Sequence, residues 1–326
     1  MTPLNALPEP QLSIPQLSIP LQSFSTDDPG SWDHLVEQAR MLDAAGVDRL
    51  VVSDHVVLGE HLEEYARPEI GGRAGGTQPT GPDGHWLEPL TTLTYIAAVT
   101  SRIRLGTNIL VAALRRPVVL AKVAATLDVL SKGRLDLGVG VGWQREEYEA
   151  AGLDFEKRGD ALDLTLEVCQ AFWRERRATL DSPALRFNDI HMMPKPQQAN
   201  GVPIWVSGTV NARVARRVAR FGAGWIPWGP DQDNVVDGIA KMRDVLTALG
   251  HDPSGLQVVG TLPVRRGAAG AVDAVATMES VPALADAGVT DVRVALRRPG
   301  DPSAARDLLQ SVVGAFRGAA GRSDES

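Results

Sequence analysis

Four short stretches of the chain place reactive or ligand-holding side chains directly after apolar runs, where a strand would end. In VVSDHVVLGE, Ser53, Asp54 and His55 follow such a run. An imidazole gives or takes a proton near neutral pH, and the neighbouring carboxylate can hold the polar edge of a cofactor. A helix-capping Asp beside a solvated His is the competing reading. In RLDLGVGVGWQREEYEAAGL the run ends at Gly138, Gly140 and Gly142, with Trp143 and Glu147 following at the expected rim. Glycines there let a flat ring or a phosphate approach the backbone, although close strand packing around a core Trp would use the same residues. The spacing is GxGxG, not GxGxxG, and comes too late in the chain for the opening unit of a nicotinamide-binding Rossmann domain.

In PIWVSGTVNARVARRVARFGAG a strand ends at Ser207-Gly208-Thr209 before a helix with Val210, Val214 and Val218 on its apolar face. The N-terminus of that helix, with Gly208, Thr209, Asn211 and Arg213, could cradle a phosphate or could simply be capped. In RIRLGTNILVAALRRP, Gly106-Thr107-Asn108-Ile109 closes a strand, and a bulge there would push Ile109 against a planar ligand. Arg115 and Arg116 are expected in solvent, or on a polyanionic tail.

The elements that must position these residues alternate regularly. Eight strands are expected at 17–21, 48–53, 103–107, 135–139, 203–207, 224–227, 256–262 and 291–296, with amphipathic segments between them. The phrase helix, Ala-Gly-Val, Asp, strand occurs both in SWDHLVEQARMLDAAGV and its sequel and in VPALADAGVTDVRVAL, as equivalent units of one wheel would. Eight such units fit a closed (β/α)8 barrel better than an open sheet, and in such barrels chemistry sits on the loops after the strand C-termini. Residues 56–85 and 174–201 are too long for plain crossovers. The first is expected to be a lid over the mouth, the second to contain a small hairpin. A leader at 1–16, one barrel domain at 17–317 and a disordered tail at 318–326 complete the expected organisation.

Composition excludes several classes. The chain has 326 residues and one cysteine, Cys169, so neither an intrachain disulfide nor a Cys-rich metal site is available, and a reducing cytoplasm is the expected location. A net charge of −7 gives no field to attract nucleic acid, and no apolar run is long enough for a membrane span. The histidines show no HExxH spacing, so no metal is expected, and there is neither a GxSxG elbow nor a P-loop. The lysines at 122, 132, 157, 195 and 241 fall in expected helices or loops, which disfavours a Schiff-base aldolase.

In this order, SDH after the second strand, WLEPLTTLTYIAAVTSRIRLGTNI, RPVVLAKVAATLDVLSKGRLDLGVGVGW with REEYEAAG, and PKPQQ leading to PIWVSG resemble the bacterial luciferase-like superfamily of flavin and deazaflavin (coenzyme F420) oxidoreductases. The resemblance runs from about residue 32 to 317, and the F420-dependent branch is the better match. It implies a TIM barrel of the luciferase-like type with insertions after strand 2 and before strand 5, usually a homodimer, with the cofactor ring at the strand C-termini. By the same resemblance, Asp54 and His55 line the ring, with His55 as proton donor or orienting group. Thr107, Asn108 and Ile109 lie at a bulge, often with a non-proline cis peptide, that props the ring. Gly140, Val141 and Gly142 form the strand-four wall, and Ser207, Gly208 and Thr209 the turn that takes the cofactor phosphate.

The implied activity is hydride transfer between F420 and a small organic substrate, with an F420 reductase as electron source. Sugar-phosphate and alcohol dehydrogenases of the superfamily carry a catalytic Glu just after the strand-four glycines, where this chain has Trp143. An indole cannot accept that proton, so the expectation turns to reduction of an activated C=C or C=N. An FMN-dependent two-component monooxygenase, fed by a flavin reductase, uses nearly the same cradle. A barrel that binds a flavin without catalysis is the remaining alternative.

Overall fold

Runs of aliphatic and β-branched residues covered on both faces become parallel strands. Eight of them, β1 (Gln16–Pro20), β2 (Arg49–Val52), β3 (Arg104–Thr107), β4 (Leu135–Val139), β5 (Ile204–Gly208), β6 (Gly224–Pro227), β7 (Gln257–Leu262) and β8 (Asp291–Val294), each pair in parallel with the next. β8 returns to β1, with Leu17 beside Val292, and the barrel is closed. The computed structural model describes residues 14–297 and 299–321. Positions 1–13 of the expected leader and 322–326 of the expected tail lie outside the described residues.

Eight principal helices wrap the barrel: α1 (Asp33–Ala45), α2 (Pro89–Val99), α3 (Pro117–Leu130), α4 (Arg158–Arg174), α5 (Ala212–Phe221), α6 (Val235–Ala248), α7 (Val281–Ala287) and α8 (Pro302–Ala319). α1 buries Leu35, Val36, Ala39 and Leu42 and stops at Gly46, whose φ of +82° suits a residue without a Cβ. α8 runs to Ala319, two residues past the expected domain end at 317. Among the described residues no helix is long and apolar enough to cross a membrane.

The barrel interior carries charge. Arg49 donates to Asp136 at 2.9 Å and to Asp291, and Arg104 grips both oxygens of Asp136 at 2.7 Å. Opposite charges this close keep the Asp136 carboxylate ionised out of water: its pKa lies below its ordinary value because Arg49 and Arg104 together outweigh the burial that pushes it up. The network fixes the strand ends opposite the mouth.

Both insertions are ordered. Within 56–85 the chain makes two short 3-10 turns, Leu62–Ala66 and Pro68–Ile70. At the end of this segment His85–Trp86 pairs antiparallel with Phe24–Ser25 after β1. Ahead of β5, Ala178–Asp181 and Arg186–Ile190 form a hairpin, seated by Phe187 stacked on Phe172 at 5.0 Å.

Candidate active site

Because the barrel is parallel, β2, β3, β4 and β5 all end at one rim, so the four stretches singled out in the sequence come together there. β2 is wholly buried, and the chain leaves it at Ser53. Asp54 turns inward: it is 5% exposed, accepts from the Val111 N–H at 2.8 Å and is gripped by both terminal nitrogens of Arg115. Arg115 also donates to Glu88 at 3.0 Å. The expectation of a solvated Arg115 is therefore corrected, since its guanidinium is the counterion of a buried carboxylate. Burial pushes the Asp54 carboxyl up, opposed by Arg115 and the Val111 amide. Asp54 thus braces the loop after β3, and its carboxylate is already occupied by protein donors.

His55, next along, is half-buried. Its ring meets Trp86 edge-on at 4.7 Å and Trp143 at 6.1 Å. Its Nδ1 is buried without a hydrogen bond and lies 3.4 Å from Oε2 of Glu147. The other oxygen of Glu147 accepts the Val56 N–H at 2.8 Å.

The end of β3 is a bulge. Asn108 donates its N–H to Val52 at 2.7 Å, the Asn108–Ile109 peptide is cis, and the ladder resumes as Leu110 donates to Gly138 at 2.8 Å. Ile109 is left partly exposed against β4. A Cβ at Gly140 would lie 2.9 Å from its side chain, so glycine is what admits Ile109 there. Asn108 Oδ1 accepts from Arg293 at 2.6 Å, which holds it from within the barrel. Complete burial pushes the Arg293 guanidinium down to about 10, with Asp291 pulling the other way and Arg49 adding to the fall. Thr107 donates to the Gly138 carbonyl at 2.7 Å and is 2% exposed. Its hydroxyl ties β3 to β4 and is not available to a ligand, because the bulge begins one residue later. Beyond Gly140, Val141 and Gly142 continue the wall, and Tyr148 donates its hydroxyl to the Val141 carbonyl at 2.6 Å.

At the fourth position, Trp225 donates to the Gly208 carbonyl at 2.9 Å, and Thr209 donates to the Trp228 carbonyl at 3.3 Å. Buried Asp231 accepts the Val210 N–H at 2.6 Å, and Asn211 caps α5 by accepting from Arg213 and Val214 at 2.9 and 3.0 Å. Several donors of the expected phosphate cradle are thus already paired. Ser207, Gly208 and Thr209 are half-buried, beside the positive end of α5.

The segment 56–85 crosses above this rim. Trp228, directly after β6, donates to the carbonyls of Gly71 and Gly72 at 3.1 Å. Arg158 reaches the Ile70 carbonyl at 3.1 Å, and Arg73 holds Gln232 at 3.3 Å and Asp233. Tyr65 comes down between Trp143 and Trp228, with centroids 5.3 and 6.2 Å away. The result is a run of rings: Trp86 and Trp143 against His55, Tyr65 against Trp143, and Trp228 against Tyr65. The sequence reading missed Tyr65, Trp86 and Trp228. Trp228 carried a usable signal in its place at a strand C-terminus, and Trp86 in opening the WLEPL stretch. Among the described residues no cluster of His, Cys, Asp and Glu is placed to hold a metal.

The family model described as luciferase-like monooxygenase matches residues 17–300. The chain belongs to that family. It is 31% identical over 230 residues to the uncharacterized protein Rv0953c of Mycobacterium tuberculosis (strain ATCC 25618 / H37Rv), covering 70% of this chain and 78% of the relative. A shorter match, 30% identical over 196 residues, covers 59% of this chain and 51% of an F420-dependent glucose-6-phosphate dehydrogenase of Kineococcus radiotolerans. In three dimensions this luciferase-like chain superposes with TM-score 0.68 on the oxygenating constituent of 3,6-diketocamphane monooxygenase from Pseudomonas putida, solved with FMN. That likeness covers 94% of this chain and 98% of the other, at 14% identity. Proteins similar to this chain thus include one relative named as F420-dependent and one protein of the same fold solved with FMN.

The residues present fit a flat tricyclic ring. Ile109 offers an apolar shelf, Gly140 leaves no side chain opposite it, and His55 stands at the same rim.

Proposed function

We propose that this chain is an F420-dependent oxidoreductase that reduces an activated C=C or C=N of a small, neutral, largely apolar substrate. The observation that carries the reading is the joint placement of His55 and the Asn108–Ile109 shelf at one end of a closed parallel barrel. A bound deazaflavin supplies hydride chemistry. The protein would hold its ring against Ile109 and the wall Gly140-Val141-Gly142, with the phosphate toward Ser207, Gly208 and Thr209. His55 would give a proton to the product or orient the group that does. The rings of Tyr65, Trp86, Trp143 and Trp228 would exclude water and favour an apolar substrate over a sugar phosphate. Trp143 offers no base for alcohol oxidation. An F420 reductase of the same cell would supply the reduced cofactor.

The same ring-lined mouth would suit FMN-dependent oxygenation, which also requires water to be excluded, with a flavin reductase as partner. Fluorescence titration of the purified chain with each cofactor decides between the two. Saturable F420 binding at micromolar or lower concentration is expected. Tight FMN binding with no F420 binding would overturn the proposal.

A further inference from the structure

We propose that Glu147 is the positioning residue for His55: its carboxylate takes the Nδ1–H of the imidazole and leaves Nε2 as the nitrogen that works at the mouth. The inference rests on the reading that His55 serves the reaction.

Among the described residues the geometry offers His55 Nδ1 the Glu147 carboxylate as acceptor. It is buried, it lacks a hydrogen bond, and the charged atom nearest to it is Glu147 Oε2 at 3.4 Å. Trp86 and Trp143 flank the imidazole with their rings turned edge-on to it, and neither offers an acceptor. A buried imidazole N–H without an acceptor is costly, and hydrogen bonds of this kind are often long in a ligand-free protein and tighten when the site fills.

From the other side, the Glu147 side chain is 1% exposed. Among the described residues its partners are the Val56 N–H and His55. The neighbouring arginines are engaged elsewhere: Arg115 with Asp54 and Glu88, Arg145 with Glu156, Arg158 with the carbonyls of Phe155 and Ile70. A buried carboxylate needs such partners, and the imidazole is the one able to carry positive charge.

The support behind Glu147 is rigid. It sits in the short helix Arg145–Ala150, which Tyr148 anchors by donating to the Val141 carbonyl at 2.6 Å. One residue before that helix, Gln144, with its amide turned to satisfy both atoms, donates to the Val57 carbonyl at 3.3 Å and accepts from the Gly59 N–H at 3.0 Å. Glu147 therefore holds His55 and, through Val56, the first residue of the segment that crosses the mouth. The chain lacks a carboxylate at position 143, and it brings one to the imidazole from four residues further on.

The test is the tautomer of His55 in the ligand-free protein, read from long-range proton–nitrogen NMR of 15N-histidine-labelled samples and assigned with H55Q. At pH 8 the wild type is expected to carry its proton on Nδ1. E147A is expected to shift the ring to a mixture or to the Nε2–H form, and E147D to recover part of the Nδ1–H population. In the loaded enzyme, E147A is expected to lower kcat about 10-fold or more while the KM for substrate and the cofactor Kd move less than about 3-fold, with partial rescue in E147D. An Nε2–H tautomer in the wild type overturns the proposal, and this needs no variant to fold. A tautomer unmoved in a folded E147A overturns it equally. A Glu147-dependent Nδ1–H tautomer in a chain that binds neither F420 nor FMN would instead sink the proposed function and leave this pairing intact.

Discussion

His55 is a side chain at the rim with proton chemistry and a carboxylate beside it, and its environment decides what that chemistry can be. Two tryptophan rings meet it edge-on, and the buried Glu147 carboxylate lies beside its Nδ1. Replacement by alanine should reduce turnover about 100-fold or more, the range in which a positioned acid or base contributes. The F420 dissociation constant should stay within about 3-fold, since the shelf at Ile109 and the wall at Gly140 are untouched. Full turnover in H55A would remove the imidazole from the mechanism. At this scale the sequence was legible in part, for some of the residues that the fold brings to the rim. Asp54, His55, Asn108 and Ile109 were legible because each follows an apolar run. What each does was less legible, because partners such as Arg115, Arg293 and Glu147 come from other strands and loops, at separations no local pattern records. A carboxylate written next to a histidine reads as its companion. In the folded chain Asp54 belongs to Arg115, and the companion of His55 is Glu147.

The elements explain why strand positions were easier to read than loop positions. Each barrel strand needs four to six residues buried on two faces, a constraint strong enough to write itself into composition. The insertion at 56–85 is held by carbonyls and single side chains, Trp228 on Gly71 and Gly72, Arg73 on Asp233, Arg158 on Ile70, and such contacts leave no periodic trace. They do make the insertion's stability separable from that of the barrel. W228F keeps an aromatic ring beside Tyr65 but loses the donor to both carbonyls. Its insertion should open more often, and trypsin should cut within 56–85 about 5-fold faster, as the loss of hydrogen bonding worth roughly 1 kcal/mol implies. Mass-resolved limited digestion measures this directly. Cleavage at the wild-type rate would mean that the Trp228 bonds do not restrain the segment.

At the scale of the whole molecule the barrel accounts for its own interior and its mouth, while aliphatic side chains on the outer side of α3 stay exposed. On α3, Val119, Val123 and Leu130 follow one helical stripe with Val118 beside it, all exposed, and Tyr95 of α2 stands 59% exposed. Leu120, Ala121, Ala124 and Leu127 already serve the core from the opposite side of α3, so packing within the chain does not require aliphatic residues on the outward side as well. Exposed aliphatic side chains on one helical stripe would suit a contact with a partner, and the homodimer that the resemblance implies would use them as an isologous contact, each α3 meeting the other across a twofold axis. The same arrangement would stiffen α3 and the turn of Val111 and Arg115 that precedes it, the turn that grips Asp54. The double variant V119D/V123D should therefore run as a monomer in light scattering coupled to size exclusion, while the wild type runs as a dimer at micromolar concentration. Its far-ultraviolet circular dichroism should match the wild type, because both positions point away from the core. A wild-type chain that elutes as a monomer at every concentration would overturn the dimer reading of this face.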